Sequence, residues 1–237
     1  MVRIITITLI VLLSSVPTQA REKMIFSTFS NPDTPNIVLA RTVVTEVYNR
    51  LGMDIEVRYL PGYRALRKAN NGKVDGLLFH VPNLGISYAN LIQIKAPVFH
   101  SQLVGFTNKT IKIKDWDSLN PYRIGYVRGF LLVEERLMNA QTEAVDRAED
   151  LMMMLSRGRI DVAVDTHLTG LYTIKKLGLQ EIKVVSPALE SFSSFHYLNK
   201  KHKSLIPQVE HVLSEMEKEG AILEIRNKIL KGLSDKN

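Results

Sequence analysis

Two stretches hold most of the side chains that could do chemistry. Gly72-Lys73-Val74-Asp75 leads into Gly76-Leu77-Leu78-Phe79-His80. Gly158-Arg159-Ile160-Asp161 leads into Val162-Ala163-Val164-Asp165-Thr166-His167. In both, Asp opens an apolar run and histidine follows it. Asp165 ends its run where a helix begins, so its carboxylate either accepts hydrogen bonds from a ligand amine or hydroxyl or caps that helix, and it can do both. His80 and His167 would face each other across a cleft as ligand donors. Two histidines with no clustered carboxylate do not make a metal site, so no metal and no cofactor is expected. Arg128-Gly129 stands at another helix start, where backbone N–H groups favour an anion. Arg128 there either adds charge for a ligand carboxylate or points into solvent. Phe29, in a Pro-containing loop, and Tyr63, after Pro61-Gly62, either stack on a ligand or pack into the core.

These residues need elements to hold them. Lys23–Thr28 reads as a strand. Asn36 reads as the cap of a helix over Ile37–Leu51, which Gly52 stops. Asp54–Leu60 alternates as a strand, Tyr63–Asn70 is a short helix ended by Gly72, and Val74–His80 is a strand. The order then repeats: strand Tyr122–Val127, helices Phe130–Asn139 and Ala148–Arg157, strand Ile160–Asp165, helix Leu168–Leu177, and a strand in Ile182–Pro187. Helices Leu205–Glu219 and Ala221–Leu230 close the chain. Each β-α-β-α-β run predicts a mostly parallel sheet flanked by helices. The repeated Gly-base-β-branched-Asp segment occupies the same place in each run: Gly ends a helix in a left-handed conformation and Asp marks the start of a strand. Ile94–Lys109 and Ser186–Lys201 read as extended segments joining the two runs. Two crossings make a hinge, with a cleft between the halves.

Composition narrows the function. The 237 residues are 45% hydrophobic and 23% charged, enough apolar mass for one large or two small globular units. Residues 1–20 have the anatomy of a secretory signal peptide. Arg3 makes a basic start, Ile4–Leu13 is nearly all apolar, and Ser14–Ala20 is small and turn-prone, so cleavage is expected after Ala20 and the protein in the periplasm. The apolar run is short for a membrane span of ~20 residues. With no cysteine, disulfides, thiolate zinc and a lipoprotein anchor are excluded. The net charge of +7 is scattered; its densest cluster, Lys200-Lys201-His202-Lys203, reads as a solvated turn, and export argues against a nucleic-acid partner. There is no Gly-x-Ser-x-Gly, no His-Glu-x-x-His, no P-loop and no dinucleotide fingerprint, so no enzyme is expected.

In order and spacing, the segments GKVDGLL, APVFHSQLVGF, RIGYVRG, LSRGRIDVAVD and LEIRNKI resemble the bacterial family 3 extracellular solute-binding proteins, the periplasmic class that serves amino-acid transporters. The resemblance spans nearly the whole mature chain. It implies an α/β, two-lobed periplasmic-binding-protein-like fold of type II, with residues 21–103 and 192–237 as lobe 1, 104–191 as lobe 2 and two crossing strands as hinge. It also implies a monomer that closes on a small polar solute and is read by a membrane permease of an ABC-type importer or by a sensor protein. The family holds amino acids through a Thr-x-x-Arg that takes the carboxylate and an acidic residue that takes the ammonium. Here Gly85 and Tyr88 stand at the Thr and Arg, Phe130 stands where Ser or Thr is frequent after Gly129, and the acidic residue is Asp165. The resemblance therefore implies a ligand other than a standard α-amino acid, with Tyr88 donating where the Arg would have stood. Some relatives of this fold are dehydratases, for which Glu134, Glu135 or Asp165 would be the acid.

Overall fold

Strands whose two faces are both apolar build two halves of one sheet, each covered by helices on both faces. A computed structural model of the protein describes residues 21–29 and 32–234; the expected signal peptide lies outside the described residues. The first half runs β1 (Lys23–Thr28), α1 (Pro35–Arg50), β2 (Asp54–Tyr59), α2 (Gly62–Asn70) and β3 (Gly76–His80), followed by the long β4 (Leu91–Thr107). The second runs β5 (Ile124–Val127), α3 (Leu131–Arg136), β6 (Thr142–Val145), α4 (Ala148–Ser156), β7 (Val162–Thr166), α5 (His167–Leu177) and the two-residue β8 (Lys183–Val184). β9 (Glu190–Asn199) returns, and α6 (Ile206–Lys218) and α7 (Ala221–Ser234) follow. Among the described residues no helix is long and apolar enough to cross a membrane.

The strand order is β2-β1-β3-β9-β4-β7-β5-β6. Strands β2, β1 and β3 are mutually parallel, as are β7, β5 and β6, while β4 and β9 run antiparallel to their neighbours and through both halves. This is the two-lobed α/β fold expected. Side chains alternate between faces: Val162 and Val164 of β7 pack against Leu119, Ile124 and Val133, whereas Ala163 joins Leu151, Met152 and Leu155 of α4. In the first half, α1 and α6 bury Val43, Val47, Val209 and Leu213 on one face, and α2 buries Ala65, Leu66 and Ala69 on the other.

The sequence repeat has one structural meaning in both halves. Gly72 and Gly158, with φ +69 and +67, turn the chain out of α2 and α4. Asp75 donates its N–H to the Ile25 carbonyl (2.7 Å) and accepts the Ile25 N–H on its side chain (2.8 Å). Asp161 does the same with Arg123, at 2.8 and 3.0 Å. Each Asp thus staples its strand to the neighbouring parallel strand, β1 in one half and the entry to β5 in the other. Cations compensate both: Lys201 for Asp75, which His202 Nε2 also contacts at 2.7 Å, and Arg123 and Lys109 for Asp161. Lys201, as a counter-charge, and His202, as a hydrogen-bond partner, are therefore structural, not only a solvated turn. Hydrogen bonds from Arg123 and Lys109 hold the Asp161 carboxyl far below the usual carboxylate range.

Four local expectations are corrected. Helix α1 starts one residue before Asn36: Thr34 is the N-cap position and Pro35 takes the first turn, where its missing N–H is harmless. Asp165 does not cap α5, since it sits inside β7 and Thr166 is the N-cap. The helix expected over Phe130–Asn139 is shorter, and the chain re-enters the sheet as β6, a half-exposed edge strand paired parallel to β5. The strand expected in Ile182–Pro187 reduces to β8.

Candidate functional site

A cavity of about 100 Å³ lies where the two halves meet. Phe29 follows β1, His80 ends β3, Phe130 follows β5, and Asp165 is the penultimate residue of β7. All four project from the carboxyl ends of parallel strands, where open α/β sheets place their ligand crevices. Phe99 and Phe192 on the crossing strands complete an apolar wall.

Asp165 is 5% exposed. Its Oδ1 accepts the Thr166 N–H at 2.6 Å, and its Oδ2 has no hydrogen-bond partner. Burial pushes this carboxyl up to about 7, opposed by the Thr166 hydrogen bonds and reinforced by the charge of Glu149. His80 is 4% exposed. Its Nδ1 accepts the Val81 N–H at 2.9 Å, so a neutral ring carries its proton on Nε2, which has no partner either. Burial holds His80 at about 4, opposed by hydrogen bonding towards the Gly129 backbone. The Phe29 ring lies over His80 at 5.5 Å between centroids and 33° between planes, and Phe130 meets Phe192 edge-on at 5.8 Å. Partly buried apolar rings thus surround two buried polar atoms.

The other expected site residues lie elsewhere. Arg128 turns away from the cavity to Asp146 (3.2 Å) and the Ala144 carbonyl (2.8 Å). The Gly129 N–H donates to Glu134 Oε1 at 2.8 Å, so the helix-start anion position is filled by the chain's own carboxylate. Tyr63 donates its hydroxyl to the other oxygen of Glu134. Tyr88 packs beside the α2 cluster, and burial, then the charge of Glu134, raises its hydroxyl pKa. His167 lies in a separate surface depression with His100 and Arg226, so the two histidines do not face each other.

The halves also meet directly. A Cβ on Gly62 would lie 3.0 Å from the Arg128 carbonyl and 3.1 Å from Gly129 Cα, so both glycines are needed for this approach. Asn36 donates to Thr166 Oγ1 at 2.9 Å. Phe99, Phe192 and Asn36 were not singled out as site residues from sequence. A Phe in each crossing segment was the available signal for the first two; nothing local marked Asn36.

Sheet order, crossing strands and a cavity between the halves define the type II periplasmic-binding-protein class of fold. Three solved structures agree across most of the chain. A histidine kinase sensor domain similar to periplasmic binding proteins has a TM-score of 0.78 at 16% identity, covering 89% of this chain and 96% of that one. The GluR0 ligand-binding core with L-glutamate has 0.76 at 11%, covering 90% and 99%. An amino acid ABC transporter substrate-binding protein from Streptococcus pneumoniae, bound to L-arginine, has 0.73 at 16%, covering 90% and 97%. No family model matches the chain. An uncharacterized protein of Shewanella oneidensis is 30% identical over 190 residues, 76% of this chain and 72% of its own length, and the chain belongs to the same family as that protein.

Proposed function

We propose that the protein is a periplasmic solute-binding protein akin to family 3, with residues 1–20 removed on export. Residues 21–103 with 192–237 form one lobe and 104–191 the other. The lobes close on a small solute by flexing at β4 and β9, and Phe29, His80 and Asp165 contact it. In this reading Tyr63 acts at the closure contact rather than on the solute, and Arg128, Tyr88 and His167 lie outside the binding set. The observation that carries the proposal is the cavity at the strand ends of both halves, with Asp165 Oδ2 and His80 Nε2 buried and without a hydrogen-bond partner. Buried polar groups without partners are costly, and a solute that pairs them in the closed state would stabilise closure.

Delivery to an ABC-type permease is the favoured role, supported by the likeness to the pneumococcal substrate-binding protein. Sensing for a membrane partner is the second reading, supported by the likeness to the kinase sensor domain. The test is a thermal-shift screen of residues 21–237 against amino acids, amines, peptides and carboxylates. At least one class should raise Tm in proportion to log concentration, and Asp165→Ala should abolish that rise. A ligand bound equally well by Asp165→Ala would overturn the site.

A further inference from the structure

Several contacts tie the two halves together, and none of them involves a solute. Given the two-lobe reading above, we infer that the chain rests closed, held by a latch in which the Glu134 carboxylate joins the Tyr63 hydroxyl of the first half to the Gly129 N–H of the second.

The latch depends on a close backbone approach. A Cβ on Gly129 would lie 3.0 Å from Gly62 Cα and 3.3 Å from the Tyr63 nitrogen, so the start of α2 lies directly against the turn that enters α3. Glu134, in the first turn of α3, folds back towards that turn. Its Oε1 accepts the Gly129 N–H at 2.8 Å, and its Oε2 accepts the Tyr63 hydroxyl. Hydrogen bonds to a carboxylate are stronger than neutral ones. The Glu134 bond raises the Tyr63 hydroxyl well above its usual range, so Tyr63 stays a donor.

Packing and a second polar tie act in the same direction. Phe130, Leu131 and Leu132 of the second half pack against the first half's cluster around Leu66 and Leu77. Asn36, on the first half, donates to Thr166 Oγ1 on the second at 2.9 Å, and both residues are buried. Opening would expose the apolar contact and break both ties, so closure is favoured before a solute arrives. The cavity keeps Asp165 Oδ2 and His80 Nε2 without partners in this closed arrangement. A solute then adds pairing to a shape already made, and opening becomes the step that admits it.

The chain has no cysteine, so spin labels can be placed singly. Lys68→Cys on α2 and Met138→Cys beyond α3 are exposed sites, one in each half. Residues 21–237 carrying this pair, refolded from urea to shed any bound solute, are measured by double electron–electron resonance. One short distance is expected without solute. Glu134→Ala should add a longer distance and raise its share about fivefold, the loss of roughly one hydrogen bond. Tyr63→Phe should do the same, and Tyr63 is 40% exposed, so this variant decides the matter if Glu134→Ala does not fold. Glu134→Gln should restore the short distance, because its amide accepts from Gly129 and donates to the Tyr63 oxygen. A solute-free wild type that shows mainly the long distance would overturn the inference, as would unchanged distances in Tyr63→Phe and in folded Glu134→Ala. Neither result touches the binding reading, which the thermal-shift screen decides. A chain that is shut at rest and answers to no class in that screen keeps the latch and loses the binding reading.

Discussion

Asp165 is a carboxyl whose environment disfavours its own charge, and its linkage has a definite sign. With its pKa raised from 3.8 to about 7 by burial, the folded chain keeps a proton that the unfolded chain releases as pH rises from 3.8. The stability tied to that proton is full below 3.8 and is lost as pH climbs through 7. Buried His80 and His196, both lowered from 6.5 to about 4, act oppositely: their contribution is full above 6.5 and is lost as pH falls towards 4. Asp165→Asn removes only the first effect. Its Tm should approach that of wild type near pH 4.5 and exceed it increasingly up to pH 7.5. Thermal melts across that range measure this, and a pH-independent difference would refute it. The importance of Asp165 was legible in sequence because it ends an apolar run before a helix. Its free oxygen was not, because pairing depends on what packs above it.

At the scale of elements, the paired Gly-x-x-Asp segments do the same work in each half. Asp75 and Asp161 each accept a backbone N–H from a neighbouring strand. Removing Asp75 leaves the part-buried Ile25 N–H without its partner, which costs about 1–3 kcal/mol, whereas water reaches the exposed Arg123 N–H when Asp161 is removed. Asp75→Ala should lower unfolding free energy in urea by about that much, and Asp161→Ala by less. The double variant should show the sum, because the sites lie in different halves and share no partner. Strong additional loss in the double variant would mean the two halves depend on each other for folding. Close packing adds another test: a Cβ on Gly170 of α5 would sit 2.1 Å from the Phe106 ring, so Gly170→Ala should destabilise by about 1–3 kcal/mol. Most helices and strands were legible from periodicity and glycine stops. Strand β6 escaped because Thr142–Val145 is a short, half-exposed edge with little alternation, and Asn36 was misread as a cap because the local pattern suits one while Pro35 starts the helix earlier.

For the whole molecule, the telling contacts are those between halves: Gly62 against Gly129, Asn36 to Thr166, and Tyr63 to Glu134. Gly62→Ala puts a methyl within 3.0 Å of a backbone carbonyl of the other half while leaving α2 in its own half. The expected result is an open-shifted molecule: a larger radius of gyration in small-angle scattering and weaker solute binding. Its melting temperature without solute should stay near that of wild type, since Ala is a better helix residue than Gly. An unchanged radius and affinity would mean that this contact does not limit closure.

The sequence by itself determined the α/β class, the doubling of the β-α-β-α-β run and the places where glycines end helices. These follow from residue periodicity and backbone conformation, which are local. It also pointed to Asp165, His80 and Phe29, because strand ends are local features too. Only the tertiary structure decided that these three share a cavity, that His167 does not join them, and that Arg128 and Gly129 are already satisfied by Asp146 and Glu134. Those facts depend on how two halves joined by β4 and β9 meet, and on which polar atoms lose water there, and neither is encoded within a window of neighbouring residues.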